Sequence, residues 1–228
     1  MDYTYRDIAK MIDHSLLNPA LTDAELAAGC ELAARYEVAG VCAKPHFVKA
    51  AAGILAGTSV RTGTTVGFPH GGHATAVKVA EARRALDDGA EELDMVVNIG
   101  KVLSGEWDYV RADVAAVVGP AHEAGAIVKV IFENCYLQDA HKIRLCEICG
   151  QVGADFVKTS TGYGAGGATL QDVRLMRKHS PDGVQVKAAG GIRSLESLLE
   201  YRAAGVARIG ASRTAEILDA CRKALGRT

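Results

Sequence analysis

Hydrophobic positions along this chain fall into short runs at a regular beat. The first half holds Met11-Ile12-Asp13, Val38-Ala39-Gly40-Val41-Cys42, Thr64-Thr65-Val66-Gly67-Phe68 and Glu92-Leu93-Asp94-Met95-Val96-Val97. The second half continues with Ile127-Val128-Lys129-Val130-Ile131-Phe132, Ala154-Asp155-Phe156-Val157-Lys158, Val184-Gln185-Val186-Lys187 and Val206-Ala207-Arg208-Ile209-Gly210. Runs this short and rich in β-branched residues read as strands. Between them the spacing becomes helical, over 23–36, 74–88, 107–124, 139–152, 170–179 and 195–204. Thr22-Asp23 is a helix start, and Gly89, Gly125, Gly153 and Gly205 each stop a helix just ahead of the next strand.

Eight strands alternating with helices through short connections predict an α/β chain whose parallel sheet closes into one (β/α)8 barrel, a single domain over residues 1–228. An open doubly wound sheet is the alternative for the same alternation. In a barrel strand, alternate residues face the helices and should be apolar. Leu93, Met95 and Val97 fill that role in the fourth strand, which turns Asp94 inward; Val184 and Val186 turn Lys187 inward with Gln185, and Val157 turns Lys158 inward. The same alternation puts Lys129 and Glu133 together on the inner face of the fifth strand, where they read as a supporting ion pair.

Charge and composition narrow what such a barrel acts on. Lys and Arg number 26 against 27 Asp and Glu, a formal net charge of -1, so no basic field draws the chain to nucleic acid or to a membrane surface. No apolar run approaches a membrane span, and the opening Met1–Asp7 segment has no basic region followed by an apolar stretch, so a cytoplasmic protein is expected. The six cysteines sit in apolar stretches and read as reduced thiols; Cys146-Glu147-Ile148-Cys149 lies inside a helical pattern and lacks the second pair a zinc or redox site would need. His70-Gly71-Gly72-His73 is the close histidine pair, in a glycine turn, and no metal or cofactor is expected.

The inward residues carry the chemistry. Lys158, Lys187 and Asp94 lie near the carboxyl ends of their strands, the face where barrels build active sites. A buried ammonium must be paired or surrender its proton, so two lysines on neighbouring strands should depress one another while Asp94 stabilises whichever stays charged. A lysine so depressed supplies free amine to attack a carbonyl. The loops after strands six, seven and eight are glycine-rich: Thr159-Ser160-Thr161-Gly162-Tyr163-Gly164, Ala189-Gly190-Gly191-Ile192-Arg193-Ser194 and Ile209-Gly210-Ala211-Ser212-Arg213-Thr214. Their backbone N–H groups and the helix starts behind them suit a phosphate, held by Gly162, Gly190, Gly191, Gly210, Ser212 and Arg213.

Ile12-Asp13-His14-Ser15-Leu16-Leu17, Val41-Cys42, Val66-Gly67-Phe68-Pro69, Glu92 to Val96, Ala154 to Gly162, Val186 to Arg193 and Arg208-Ile209-Gly210 together resemble the deoxyribose-phosphate aldolases, over nearly the whole chain. The resemblance implies reversible, metal-independent cleavage of 2-deoxy-D-ribose 5-phosphate to acetaldehyde and D-glyceraldehyde 3-phosphate, in deoxyribonucleoside catabolism. It makes Lys158 the Schiff-base lysine, Lys187 its pKa-lowering partner and Asp94 part of the proton relay, with Asp13, Cys42 and Thr161 at the substrate. Two departures stand out. Arg213 takes the place of a second serine in the last phosphate loop, and the sequence ends Gly226-Arg227-Thr228 where some members carry a tyrosine that reaches the site. Other lysine aldolases with a different donor aldehyde, or a non-catalytic phosphosugar-binding barrel, are the competing readings; a homodimer is the expected assembly.

Overall fold

Eight parallel strands close on themselves in sequence order in this computed structural model, which describes residues 3–226. They are β1 (Ile12–Leu16), β2 (Gly40–Ala43), β3 (Arg61–Val66), β4 (Glu92–Val96), β5 (Ile127–Ile131), β6 (Phe156–Lys158), β7 (Gln185–Ala189) and β8 (Arg208–Ala211). The barrel shuts where β8 pairs with β1, Ile209 opposite Ile12. Closure rules out the open sheet.

The helices form where the sequence signals them. Thr22 accepts from the Glu25 N–H while the Glu25 carboxylate accepts from the Thr22 N–H, a capping box that starts Asp23–Arg35. Gly153, at φ 74°, ends Asp139–Val152 in the left-handed conformation that glycine adopts without steric cost. Leu170–His179 and Leu195–Ala203 start behind the side chains of Thr169 and Ser194. Helices Val48–Leu55 and Thr214–Ala224, absent from the sequence reading, complete the outer ring. Strand β3 begins at Arg61, three residues before the run that announced it, because Arg61-Thr62-Gly63 pairs with Gly40-Val41-Cys42 despite its polarity.

Parity along the strands sorts the interior into two cores. Val41, Val66, Leu93, Met95, Val128, Val130, Val157, Val186 and Ile209 pack with the helices in one apolar cluster. Cys42, Val96, Ile131 and Phe156 are equally buried yet outside that cluster, on the opposite face with Asp94, Lys129 and Lys158. The barrel interior is therefore ionic where most barrels are filled by branched apolar side chains. Gln185 shares the parity of Lys187 but sits exposed at the open end of β7. Met1, Asp2, Arg227 and Thr228 lie outside the described residues, and with them part of the opening segment and the last two positions noted above.

Candidate active site

Lys158 and Lys187 are opposite one another in the register of β6 and β7, and Asp94 reaches both from β4 across the barrel. Lys158 Nζ donates to Asp94 Oδ2 at 2.6 Å and Lys187 Nζ to the same oxygen at 2.7 Å. Lys187 also donates to Asp13 Oδ2 at 2.5 Å. All four side chains are buried, Lys158 at 3% exposure and Asp94 at 0%.

Beneath this pair the ionic interior continues. Lys129 Nζ lies 2.5 Å from Glu92 Oε2, 2.8 Å from Asp94 Oδ1 and 3.4 Å from Asp13 Oδ2. Arg208 bridges Asp13 Oδ1 at 2.5 Å and Glu92 Oε2 at 3.2 Å, with its guanidinium 5.5 Å from the centre of the Phe156 ring. The expected Lys129–Glu133 pair is thus not formed. Residues four apart on a strand are separated by about 13 Å, so Lys129 finds carboxylates on β4 and β1 instead. Glu133, just past β5 in a left-handed conformation at φ 57°, turns its carboxylate to the Thr161 N–H at 3.1 Å and to the Thr161 hydroxyl.

The two lysines do not titrate alike. Burial pushes Lys158 below the usual lysine range; Asp94 opposes that shift and Lys187 adds to it. Burial acts on Lys187 in the same direction, yet Asp13 and Asp94 together outweigh it and raise Lys187 above its ordinary value. The expected mutual depression therefore acts on Lys158 alone, because Asp13, which the strand phasing had not turned inward, serves Lys187 and leaves Lys158 one carboxylate. Asp13 and Asp94 face a burial penalty that the surrounding cations exceed, Lys129 foremost, and both stay well below the usual carboxylate range.

Lys158 and Lys187 open into a cavity of about 520 Å³ at the carboxyl ends of the strands. Of the residues singled out from sequence, Asp13, Cys42, Thr161, Gly162, Gly190, Gly191, Gly210 and Ser212 line it with the two lysines, and Asp94 lies directly below. Burial pushes the Cys42 thiol up to about 11, so it stands as a neutral wall. Arg213 is the exception. It points out of the cavity and pairs with Glu216 one helical turn on, at 3.2 Å. Beside the two lysines, the basic residue that does line the cavity is Arg193, in the glycine-rich loop after β7, which sequence reasoning missed.

Two further contacts shape the mouth. A Cβ on Gly167 would lie 2.5 Å from the Gly190 carbonyl oxygen, so the loops after β6 and β7 touch main chain to main chain. Gly190 and Gly191, at φ 88° and 87°, turn their loop at the cavity wall. Tyr163, also missed, crosses from the loop after β6 to donate to the Leu17 carbonyl at 2.7 Å, with the Phe68 ring edge-on at 5.5 Å.

A barrel that presents an amine of lowered pKa at its catalytic face, above a carboxylate and a second lysine, is built as a lysine-dependent carbon–carbon bond enzyme. Comparison with known proteins agrees. Residues 8–217 match the family described as DeoC/LacD family aldolase, and the chain belongs to that family. A deoxyribose-phosphate aldolase of Rhodopirellula baltica is 63% identical over 225 residues, 99% of this chain and 93% of the relative. One from Thermococcus gammatolerans is 50% identical over 96% of this chain and 98% of its own. Among solved structures, the deoxyribose phosphate aldolase of Aeropyrum pernix, described as a unique tetramer, superposes with a TM-score of 0.90 at 32% identity, covering 97% of this chain and 93% of that one.

Proposed function

We propose that this aldolase reversibly cleaves 2-deoxy-D-ribose 5-phosphate to acetaldehyde and D-glyceraldehyde 3-phosphate, in deoxyribonucleoside catabolism, through a Schiff base on Lys158. The observation that carries the reading is the Lys158 amine, depressed by burial, in a cavity that the glycine-rich loops after β6, β7 and β8 and Arg193 also line.

The free amine of Lys158 adds to C1 of the open-chain sugar, and loss of water leaves an iminium whose nitrogen accepts an electron pair. A two-carbon product requires the C2–C3 bond to break. The C3 hydroxyl loses its proton as C3 becomes the aldehyde carbon of glyceraldehyde 3-phosphate, and the bonding pair moves into an enamine on C1 and C2. The Asp94 carboxylate is the group placed to take that proton, directly or through water, and the Lys187 ammonium, 2.7 Å from it, the group to return one to C2. Hydrolysis then frees acetaldehyde and the amine. Asp13 holds Lys187, Thr161 and Cys42 wall the small-aldehyde end, and Gly162, Gly190, Gly191, Gly210 and Ser212 offer amides and a hydroxyl to the phosphate. Arg193, rather than Arg213, supplies its counter-charge.

We read the reaction as metal-independent, because the iminium on Lys158 is itself the electron sink that cleavage requires. We read residues 1–228 as one domain, supported by a barrel that leaves no described strand over. A cytoplasmic location fits a chain in which no described helix is long and apolar enough to cross a membrane. A homodimer is proposed on the general prevalence of two-fold assemblies. The test is mass spectrometry after incubation with acetaldehyde and cyanoborohydride. One reduced acetaldehyde on Lys158, absent from Lys158→Ala and indifferent to EDTA, is expected; an unmodified wild type overturns the reading.

A further inference from the structure

The ionic interior below the nucleophile has a charge count. Asp13, Glu92 and Asp94 supply three carboxylates, and Lys129, Lys187 and Arg208 supply three cations, each within 3.4 Å of at least one of those carboxylates. The set is neutral without Lys158. A protonated Lys158 would leave a buried excess of one positive charge, which the interior disfavours.

Arg208 differs from the two lysines of the set. A guanidinium does not deprotonate in proteins, so its charge is permanent, and its planar fork spans carboxylates on two strands. Here it joins Asp13 on β1 to Glu92 on β4 while lying over Phe156, which shares the inner face of β6 with Lys158. Asp13 is thereby committed at both oxygens, one to Arg208 and the other to Lys187. Lys158 is left facing Asp94 from β4, Lys187 from β7 and the neutral Cys42 from β2. Toward solvent, Glu92 also faces the half-exposed Arg61 at 3.7 Å, and Arg208 faces Lys10, whose amine is taken up by the Val38 and Ser59 carbonyls and the Ser59 hydroxyl.

We propose that Arg208 is a positioning residue for the aldol reaction, and that its fixed charge, by completing the neutral buried set, disfavours a further proton on Lys158. It touches no reacting atom. It acts by occupying Asp13 and by making any further positive charge an unbalanced one. The inference rests on Lys158 as the Schiff-base lysine.

Its signature is a shift whose sign follows the charge removed. A unit charge about 10 Å from an amine, at an effective dielectric of about 20, moves the amine's ionisation by about one pH unit. Arg208→Gln should therefore move the acid limb of adduct formation up by about that amount, Glu92→Gln should move it down, and the double variant should return it toward wild type. Arg208→Lys, which keeps the charge, should leave the limb in place. The experiment follows the rate of acetaldehyde adduct formation at Lys158, trapped with cyanoborohydride, against pH in the full-length enzyme, with a melting curve for each variant. Opposite shifts establish the charge count. Two shifts of the same sign, or none, overturn the role of Arg208 while leaving the Schiff base intact; no adduct on the wild type removes both. If Arg208→Gln does not fold, Glu92→Gln decides alone, since a loosened interior would admit water and raise the Lys158 ionisation whereas loss of a carboxylate lowers it.

Discussion

Lys158 and Lys187 stand opposite one another on adjacent strands and donate to one and the same oxygen of Asp94. A single carboxylate oxygen cannot neutralise two ammonium groups in a buried site, and Lys187 has a second carboxylate that Lys158 lacks. The proton deficit falls on Lys158 for that reason.

Replacing Lys158 removes the nucleophile, and turnover should fall by at least about 10⁴-fold, the scale seen when a covalent nucleophile is lost. Its stability effect should run the other way. A lysine whose folded pKa is depressed binds fewer protons folded than unfolded, so it opposes folding at every pH below its unfolded value of about 10.4. Lys158→Met should therefore melt no lower than wild type and by calorimetry up to a few degrees higher. A drop of several degrees would show that the Asp94 bond outweighs desolvation.

Lys187→Leu takes a positive charge from beside Lys158 and leaves Asp94 free to hold the Lys158 ammonium. Both changes raise the Lys158 ionisation. The acid limb of kcat/KM should move to higher pH, with part of the rate regained on raising the pH. A uniform loss at every pH would assign Lys187 to proton transfer alone.

Arg193 and Arg213 should separate cleanly in kinetics. Arg193→Ala is expected to raise KM for the phosphorylated sugar by about 10- to 100-fold, the value of a charge-assisted contact, and to leave KM for unphosphorylated 2-deoxyribose alone. Arg213→Ala, which loses an exposed contact to Glu216, should change neither. Equal effects from both would mean that the last loop turns inward when substrate binds.

Much of this was legible in the residues. Helices 139–152 and 170–179 begin and end where their spacing and capping residues indicate, and parity alone turned Asp94, Lys158 and Lys187 inward. What stayed hidden depends on contacts between distant segments. Helix Val48–Leu55 buries Val48, Ala51 and Leu55 at helical spacing, but its alanines and glycine give that face little contrast. Alternation put Lys129 and Glu133 on one strand face, but it shows neither that β5 ends before Glu133 nor which carboxylates the neighbouring strands offer Lys129. Arg193 and Arg213 follow glycine-containing loops of similar composition, and only the path of each loop decides which of the two lines the cavity.

Asp13 should contribute to the acid stability alongside Asp94. Its folded pKa is depressed, so the stability it contributes is present above its unfolded value of about 3.9 and is lost as pH falls from there toward the folded value. Asp13→Asn should be less stable than wild type at neutral pH by about 3–5 kcal/mol, because Arg208 and Lys187 lose a buried partner. Its stability should also decline less steeply below about pH 4 in urea titrations, and an unchanged acid slope would assign that decline to other carboxylates.

The main-chain contact between Gly167 and Gly190 bears on how the enzyme could be adapted. It welds the nucleophile's loop to one phosphate-side loop without any side chain that could be trimmed, so neither glycine has a smaller replacement and a larger one drives the loops apart. Selection for bulkier acceptors would find its latitude instead at Leu17, Asn18 and Pro19, lining residues beyond β1 whose side chains can be exchanged for smaller ones.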